Sequence, residues 1–151
     1  MEISEKTKEY WEEKDWQDLE NSKSIKELYD IALRIMNRIP KPIAQVCGPI
    51  STGGLGDFES NLNVFNKAII SLQDKGLNVF DQMPFEHKMK VIKESFPKGD
   101  YHDDIINDFY LPFFESRIVT TFYFIPDWQS SRGAQMEHAL AEKLGIEIKY
   151  L

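Results

Sequence analysis

In the sequence, a buried strand pattern runs directly into a glycine-rich segment, which restricts the folds open to this chain. Residues 42–50 read PIAQVCGPI, and the overlapping stretch CGPISTGGLG, from Cys47 to Gly56, contains one Pro and four Gly. Glycine adopts turn conformations that other residues avoid, and it lets a ligand approach the backbone N–H groups closely. We therefore expect the chain to leave a strand here, turn sharply and begin a new element.

Strand and helix patterns alternate after this turn. They comprise a helical pattern over 61–75, a strand at LNVFDQMPF (77–85), a mostly helical region over 86–118, a strand at IVTTFYFIPDW (118–128), a helix over 131–144 and a last strand at IEIKYL (146–151). A strand–helix–strand unit favours parallel strands with a right-handed crossover. The pattern predicts an α/β three-layer sandwich, with a parallel sheet of four to five strands and helices on both faces.

The first 39 residues have a different character. From Ser24 to Ile39, apolar residues recur at helical spacing, Ser24 and Glu27 form a capping box, and Pro40 ends the pattern. The preceding TKEYWEEKDWQDLEN fits either a short helix packed on the domain or an arm against a neighbouring subunit. We expect residues 1–39 to form an N-terminal helical extension and residues 40–151 to form the α/β domain.

Composition excludes several classes of function. The chain has 151 residues, no apolar run long enough to cross a bilayer and a charged N-terminus unlike a signal peptide, so we expect a cytoplasmic protein without membrane contact. A net charge of -7 leaves no basic surface for long nucleic acids, whereas a small ligand stays possible. The single cysteine fits packing, and the three histidines show no metal-ligand spacing, so we expect no metal site.

The glycine-rich loop is compatible with two interpretations. GPISTG has the outline of a P-loop, but Gly54 and Leu55 stand where Lys and Ser or Thr are required, which argues against an ATPase. There is also no G-x-G-x-x-G opening a helix. The loop fits either a tight connection without a ligand or a cradle of N–H groups for an anion such as phosphate.

The last predicted helix, SSRGAQMEHALAEKLG, carries an acid on its apolar side. Winding the residues at about 100° each places Glu137 in the middle of the apolar arc, where burial is costly unless the carboxyl is paired or used. Glu137 could instead reach solvent or pair with Arg132 or Arg117. Ser131 and Gly133 lie at the N-terminus of this helix, which attracts anions. An anion site and an acid are thus predicted to be neighbours at the carboxyl ends of the strands.

Together, CGPISTGG and the S-x-G-x-x-x-E pattern at Ser131, Gly133 and Glu137 resemble the nucleoside 2-deoxyribosyltransferase-like superfamily. This superfamily includes the 2′-deoxynucleoside 5′-phosphate N-hydrolases and an uncharacterised group of bacterial and phage proteins, to which FIPDWQSSRGAQMEHALAEKLGIEI is most similar. The resemblance covers residues 43–151. It implies a flavodoxin-like parallel sheet and a pocket that neighbouring subunits often complete, so we expect a homo-oligomer.

The resemblance also implies a chemistry that needs no cofactor. An N-glycosidic bond of a (deoxy)nucleoside or nucleoside 5′-monophosphate would be cleaved or exchanged, with Glu137 attacking the sugar C1′ to form a glycosyl-enzyme. Asp108 would assist the leaving base, with Asp103 and Asp104 as alternatives. Trp128 would either stack on the base or sugar, or cover the core. The residues expected to hold the 5′ end are Gly48, Ser51, Thr52, Gly53, Gly54, Ser131 and Gly133.

The chain departs from the superfamily pattern at the third strand. Characterised members usually show an Asp at its start, whereas this chain has Thr120 and Thr121 in IVTT. This departure favours a second hypothesis, a non-catalytic nucleotide-binding or sensing module of the same fold. A third, weaker alternative is a flavodoxin-like redox protein that binds flavin mononucleotide.

Overall fold

A computed structural model describes residues 2–95 and 106–151. The helices are α1 (Glu5–Lys8), α2 (Glu13–Asn21), α3 (Ile25–Arg38), α4 (Phe58–Asp74), α5 (Met83–Glu94), α6 (Leu111–Ser116) and α7 (Arg132–Leu144). The strands are β1 (Ile43–Cys47), β2 (Asn78–Val79), β3 (Val119–Phe124) and β4 (Glu147–Tyr150). A π-helical turn (Ile106–Tyr110) precedes α6, and a 3-10 turn (Trp128–Ser130) precedes α7.

The four strands form one parallel sheet in the order β2-β1-β3-β4. The chain moves outward from β1 to β2 and then crosses back to β3 on the other side of β1. Neighbouring connections therefore diverge at the carboxyl ends of β1 and β3, the place where open α/β sheets usually bind ligands. The predicted parallel sheet is confirmed, with four strands among the described residues.

Two hydrophobic clusters cover the two faces of the sheet. Alternate side chains of a strand point to opposite faces, so Ala44 and Val46 face one layer while Gln45 and Cys47 face the other. The first layer is α4, whose Leu62 packs in a cluster with Val46. The second layer contains α3, α5, α6 and α7 in a larger cluster. Because both faces of β1 are covered, every residue of the strand is buried, as in the predicted sandwich.

The boundaries of some elements differ from the sequence predictions. The second strand, predicted over 77–85, is limited to Asn78–Val79, and residues 83–85 belong to α5 instead. Asp81 Oδ1 accepts a hydrogen bond from Met83 N (2.9 Å), and Pro84 is well suited to a first helical turn, so the chain turns into a helix early. Likewise, β3 ends at Phe124 rather than continuing to 128.

The N-terminal helices pack on the α/β domain. Trp11 and Leu19 are buried in the same cluster as Phe85 and Phe113, and α3 contributes six buried side chains, Ile25, Leu28, Ile31, Ala32, Ile35 and Met36. Thr7 Oγ1 also donates to Asp81 Oδ2 (2.8 Å) at the end of β2. Of the two alternatives for this segment, the structure therefore shows helices packed on the domain.

Among the described residues, none of the helices combines the length and the apolar composition that crossing a bilayer requires.

Candidate functional site

The two loops singled out in the sequence lie against each other at the carboxyl ends of β1 and β3. Gly54 N donates to Ser130 Oγ (2.8 Å), and Arg132 N donates to Thr52 Oγ1 (3.3 Å). Gly53 has a φ of 71°, and a Cβ there would lie 2.2 Å from the carbonyl oxygen of Ser130. Only glycine permits this close approach of the two loops.

Asn61, in the first turn of α4, holds the glycine-rich loop in shape. Its Nδ2 donates to the carbonyl oxygens of Ile50 (2.9 Å) and Gly53 (3.1 Å), and its Oδ1 accepts from Leu55 N (2.9 Å). Sequence reasoning missed this residue. The available signal was a polar side chain directly before Leu62 on the buried side of the helix, where only a hydrogen-bonded amide is stable.

Several backbone N–H groups of this region are open to a ligand. Within residues 2–95 and 106–151, the N–H groups of Ser51, Thr52, Gly53 and Gly133 find no hydrogen-bond acceptor. Ser131 is buried and caps α7, since its Oγ accepts from Ala134 N (3.3 Å). These donors and the dipole of α7 can bind an anion. Gly48 plays a different part: it is buried against Ile125 at the start of the loop.

Glu137 points into the protein, as the helical winding predicts. It is 5% exposed, and the Cys47 thiol at the end of β1 donates to its Oε2 (3.4 Å). Burial raises the pKa of Glu137 to about 8; the thiol hydrogen bond opposes this shift, and the charge of Glu86 adds to it. In the described part of the chain, no ion pair joins Glu137 to Arg132 or Arg117.

A second buried acid accompanies Glu137. Glu86, in the first turn of α5, accepts a hydrogen bond from Gln82 Nε2 (3.1 Å), and Gln82 Oε1 accepts one from Gln45 Nε2. Burial raises the pKa of Glu86 to about 7. Burial, and then the charges of Glu137 and Glu86, raise the pKa of the Tyr110 phenol well above its usual range. Burial and then Glu137 also raise the pKa of Cys47, which keeps it a neutral thiol.

The aspartates suggested as helpers for the leaving base are not brought to Glu137. The side chain of Asp108 is exposed on the π-helical turn, and within the described residues no hydrogen bond or ion pair joins it to Glu137. Asp103 and Asp104 lie outside the described residues. A role for Asp108 therefore stays a prediction without a contact to support it.

Trp128 is half-buried beside the end of β3. Its indole stacks on the His138 ring, with centroids 4.2 Å apart and planes 11° from parallel, and also packs against Phe124 and Tyr150. One face of the indole is thus occupied by protein, and the ring covers part of the core. Stacking of a base or sugar on its other face stays a prediction.

A small cavity of about 110 Å³ lies on the α4 side of the glycine-rich loop. Its lining residues are Pro49, Gly54, Leu55, Asn61, Val64, Ile125, Pro126 and Asp127. Glu137 is not among them, because it belongs to the opposite helical layer. The described residues also contain no group of three or more His, Cys, Asp or Glu placed to hold a metal ion.

The comparison with protein families gives one match, which covers residues 45–150 and is described as a domain of unknown function, DUF4406. Searches of curated proteins and of solved structures returned no match. The matched segment contains every strand of the sheet in whole or part, both loops, Glu86 and Glu137. The chain therefore belongs to the DUF4406 family.

Proposed function

We propose that this protein cleaves or exchanges the N-glycosidic bond of a nucleoside or nucleoside 5′-monophosphate through a covalent bond between Glu137 and the sugar. The observation that carries the proposal is the position of Glu137. Its carboxyl is buried at the carboxyl end of the central strand, on the same helix whose first turn offers a free N–H to an anion. The flavodoxin-like sheet supports the same conclusion, and so do the two loops, which resemble those of the nucleoside 2-deoxyribosyltransferase-like superfamily.

The 5′ end of the substrate would bind at the meeting point of the two loops. Hydrogen-bond donors are supplied by the free N–H groups of Ser51, Thr52, Gly53 and Gly133. The two glycines among them have no Cβ atom that would hinder the approach of a ligand. A phosphate held there would place the sugar toward the interior, where Glu137 lies one and a half turns further along α7. The Gly54–Ser130 and Thr52–Arg132 hydrogen bonds would open as the substrate enters.

The reaction follows the logic of a retaining glycosidase. Since Cys47 holds Oε2 of Glu137, the other carboxylate oxygen is free to attack C1′. The bond from C1′ to the base nitrogen breaks, its electron pair leaves with the base, and a glycosyl ester forms on Glu137. Water or a second base then attacks C1′ and releases the carboxylate, with overall retention of configuration.

The test is base release from a panel of deoxynucleosides, ribonucleosides and their 5′-monophosphates, each with and without a free acceptor base. We expect base release or exchange by the wild type, none by Glu137→Ala or Glu137→Gln, and a sugar adduct on Glu137 by mass spectrometry. Glu142→Gln removes an exposed acid from the same helix and is the matched control. Equal release by the wild type and both Glu137 variants would refute the assignment of the nucleophile.

A second function, nucleotide binding without catalysis, is favoured by one observation. Glu137 is 5% exposed, and the two loops above it are joined by hydrogen bonds, so the acid is closed off from solvent. In this case calorimetry would detect nucleotide binding by the wild type, while no base would be released from any member of the panel.

A further inference from the structure

The two buried acids occupy equivalent places on either side of the central strand. Glu86 is in the first turn of α5, which follows β2, and Glu137 is in the second turn of α7, which follows β3. Since β1 lies between β2 and β3, the two helices begin on opposite flanks of β1 at the same edge of the sheet. The acids therefore border one region beyond the end of β1.

A row of polar side chains on one face of β1 connects this region to both acids. Cys47 contacts Glu137 directly, and Gln45, two residues earlier on the same face, reaches Glu86 through Gln82. All five side chains are buried in a layer that is otherwise strongly apolar. Buried polar groups are costly unless they are paired or used, and such a row is not required by the packing of an α/β sandwich.

The row contains one atom without a partner. Gln45 is 4% exposed, and in the described part of the chain its Oε1 accepts no hydrogen bond. An unsatisfied buried acceptor costs about 1–3 kcal/mol, which a bound N–H or O–H donor would recover. Nucleobases carry such donors on their ring nitrogens and exocyclic amines, so a base bound here would satisfy this acceptor.

We propose that Glu86 is the acid–base residue of the site and that Gln82 and Gln45 position it toward the leaving base. This inference rests on the proposed function and deepens it. In the first step, the Glu86 carboxyl gives its proton to the base nitrogen as the C1′–N bond breaks and Glu137 bonds to C1′. In the second step, the Glu86 carboxylate takes a proton from the attacking water, or from the N–H of an acceptor base, as the ester bond to Glu137 breaks.

The electrostatic environment leaves the two acids sharing a proton. Besides burial, the charges of Lys93 and His87 lower the pKa of Glu86 and that of Asp81 raises it; Glu86 raises the pKa of Glu137, and both acids raise that of Tyr110. Burial is the largest influence on both acids, and two nearby carboxyls resist being charged together, so the pair retains a proton near neutral pH. The pKa values, about 8 for Glu137 and about 7 for Glu86, place that proton on Glu137 in the free protein, so the proposed roles require it to be on Glu86 once the substrate is bound.

The test compares Glu86→Gln with the wild type on two leaving groups, a natural base and 4-nitrophenol, each on a 2-deoxyriboside with the same 5′ group. A base needs a proton to leave, whereas 4-nitrophenolate does not. We expect Glu86→Gln to slow base release by about 10²–10⁴-fold, the usual range for an acid catalyst. Nitrophenol release in the first turnover, which precedes the step that needs a base, should stay within a few fold of the wild type. Glu137→Gln should abolish both.

Two further variants are controls. Glu94→Gln removes an exposed acid from the same helix and should release both leaving groups at the wild-type rate. Asp108→Asn tests the competing acid. The inference is overturned if Glu86→Gln slows the first-turnover release of both leaving groups equally, or if the leaving-group dependence appears in Asp108→Asn instead. If the wild type releases neither leaving group, the proposed function is refuted, and so is the inference that rests on it.

A milder variant covers the case in which Glu86→Gln does not fold. Gln82→Met keeps the side-chain length but removes the hydrogen bond that favours the charged form of Glu86. The pKa of Glu86 should rise, so the pH at which base release declines on the alkaline side should shift upward, with first-turnover nitrophenol release unaffected. An unshifted alkaline limb would contradict the role of Glu86.

Discussion

Glu137 and Glu86 are two buried residues through which pH acts on the stability of this protein. Burial raises the pKa of Glu137 to about 8 and that of Glu86 to about 7, above the ordinary values of 4.5 that both groups have when exposed. In the unfolded chain both acids ionise near that ordinary value. The unfolded state is therefore favoured as pH rises from about 4.5 to about 8, because it releases these protons more readily.

We predict that the wild-type protein is less stable at pH 8.5 than at pH 5.5. Each pKa unit is worth about 1.4 kcal/mol, so the loss in the free energy of unfolding should amount to several kcal/mol. The free energy of unfolding of the double variant Glu86→Gln/Glu137→Gln should fall much less over the same pH interval. Urea unfolding at the two pH values measures both. Equal pH dependence in wild type and double variant would show that these acids ionise normally in the folded state.

Gly53 is the residue that allows the loops to touch. We predict that Gly53→Ala is destabilising by about 2–4 kcal/mol, because it combines a positive φ with a Cβ 2.2 Å from a backbone oxygen of the other loop. Gly56→Ala is the matched control, since Gly56 has a φ of 80° but no atom near its Cβ, and it should cost about 1 kcal/mol. Thermal unfolding of both variants measures the difference. Similar values would mean that only backbone strain matters.

The two acids also show how far sequence reasoning reaches at single residues. The apolar arc of α7 predicted that Glu137 points inward, and burial of its side chain confirms that orientation. The same winding on α5 would have placed Glu86 between the buried Met83 and Met89, so the signal existed there too. The bonds through Gln82 and Gln45 depend on the pairing of β1 with β2, which local periodicity does not specify.

At the scale of elements, the glycine-rich loop depends on the helix that follows it. Three hydrogen bonds from Asn61 fix its backbone, and Asp57 caps the helix by accepting from Ser60 N (2.9 Å). The loop is therefore shaped by α4 rather than by its own side chains, most of which are exposed.

We predict that Asn61→Ala loosens the loop while leaving the sheet intact. Losing three hydrogen bonds around a buried amide should cost about 1–3 kcal/mol and speed hydrogen exchange at Leu55 N–H. Asn63→Ala, an exposed asparagine in the same helix, should change neither. Exchange measured by mass spectrometry over residues 48–56 provides the readout. Unchanged protection in Asn61→Ala would show that the loop is held elsewhere.

Element boundaries were predictable where side chains cap them and less so where tertiary contacts decide. The helix predicted over 24–39 is confirmed as Ile25–Arg38, with Ser24 Oγ accepting from Glu27 N (3.2 Å). The strand predicted over 77–85 is largely wrong. Its apolar Phe80 and Phe85 are buried by packing between layers, and a run of apolar residues does not distinguish that environment from a strand.

At the scale of the whole molecule, the N-terminal helices share the main core. Trp11 stacks on Trp16 (centroids 4.1 Å apart) and packs against Phe85 of α5 (5.3 Å). The buried Asp15 forms ion pairs with Arg34 (3.4 Å) and Arg38, which join α2 to α3. The extension is thus bound to the α/β sandwich by both apolar and charged contacts.

We predict that the chain unfolds as one cooperative unit. In a Trp128→Phe background, the remaining tryptophans, Trp11 and Trp16, report on the N-terminal segment alone. Their fluorescence and the far-ultraviolet circular dichroism of the whole chain should give the same midpoint in urea, since both depend on one core. An earlier fluorescence transition would show that residues 1–39 detach independently.

The alternation of polar and apolar side chains on β1 has a consequence for how the sheet assembles. If β1 shifted by one residue against β2 and β3, Gln45 and Cys47 would enter the apolar layer under α4, and Ala44 and Val46 would be left facing the two acids. Both changes would leave buried polar groups without hydrogen-bond partners. Gln45 and Cys47 thereby also make misaligned strand pairing unfavourable. Replacing them with apolar residues should allow other registers of β1, even where the replacement raises the stability of the protein.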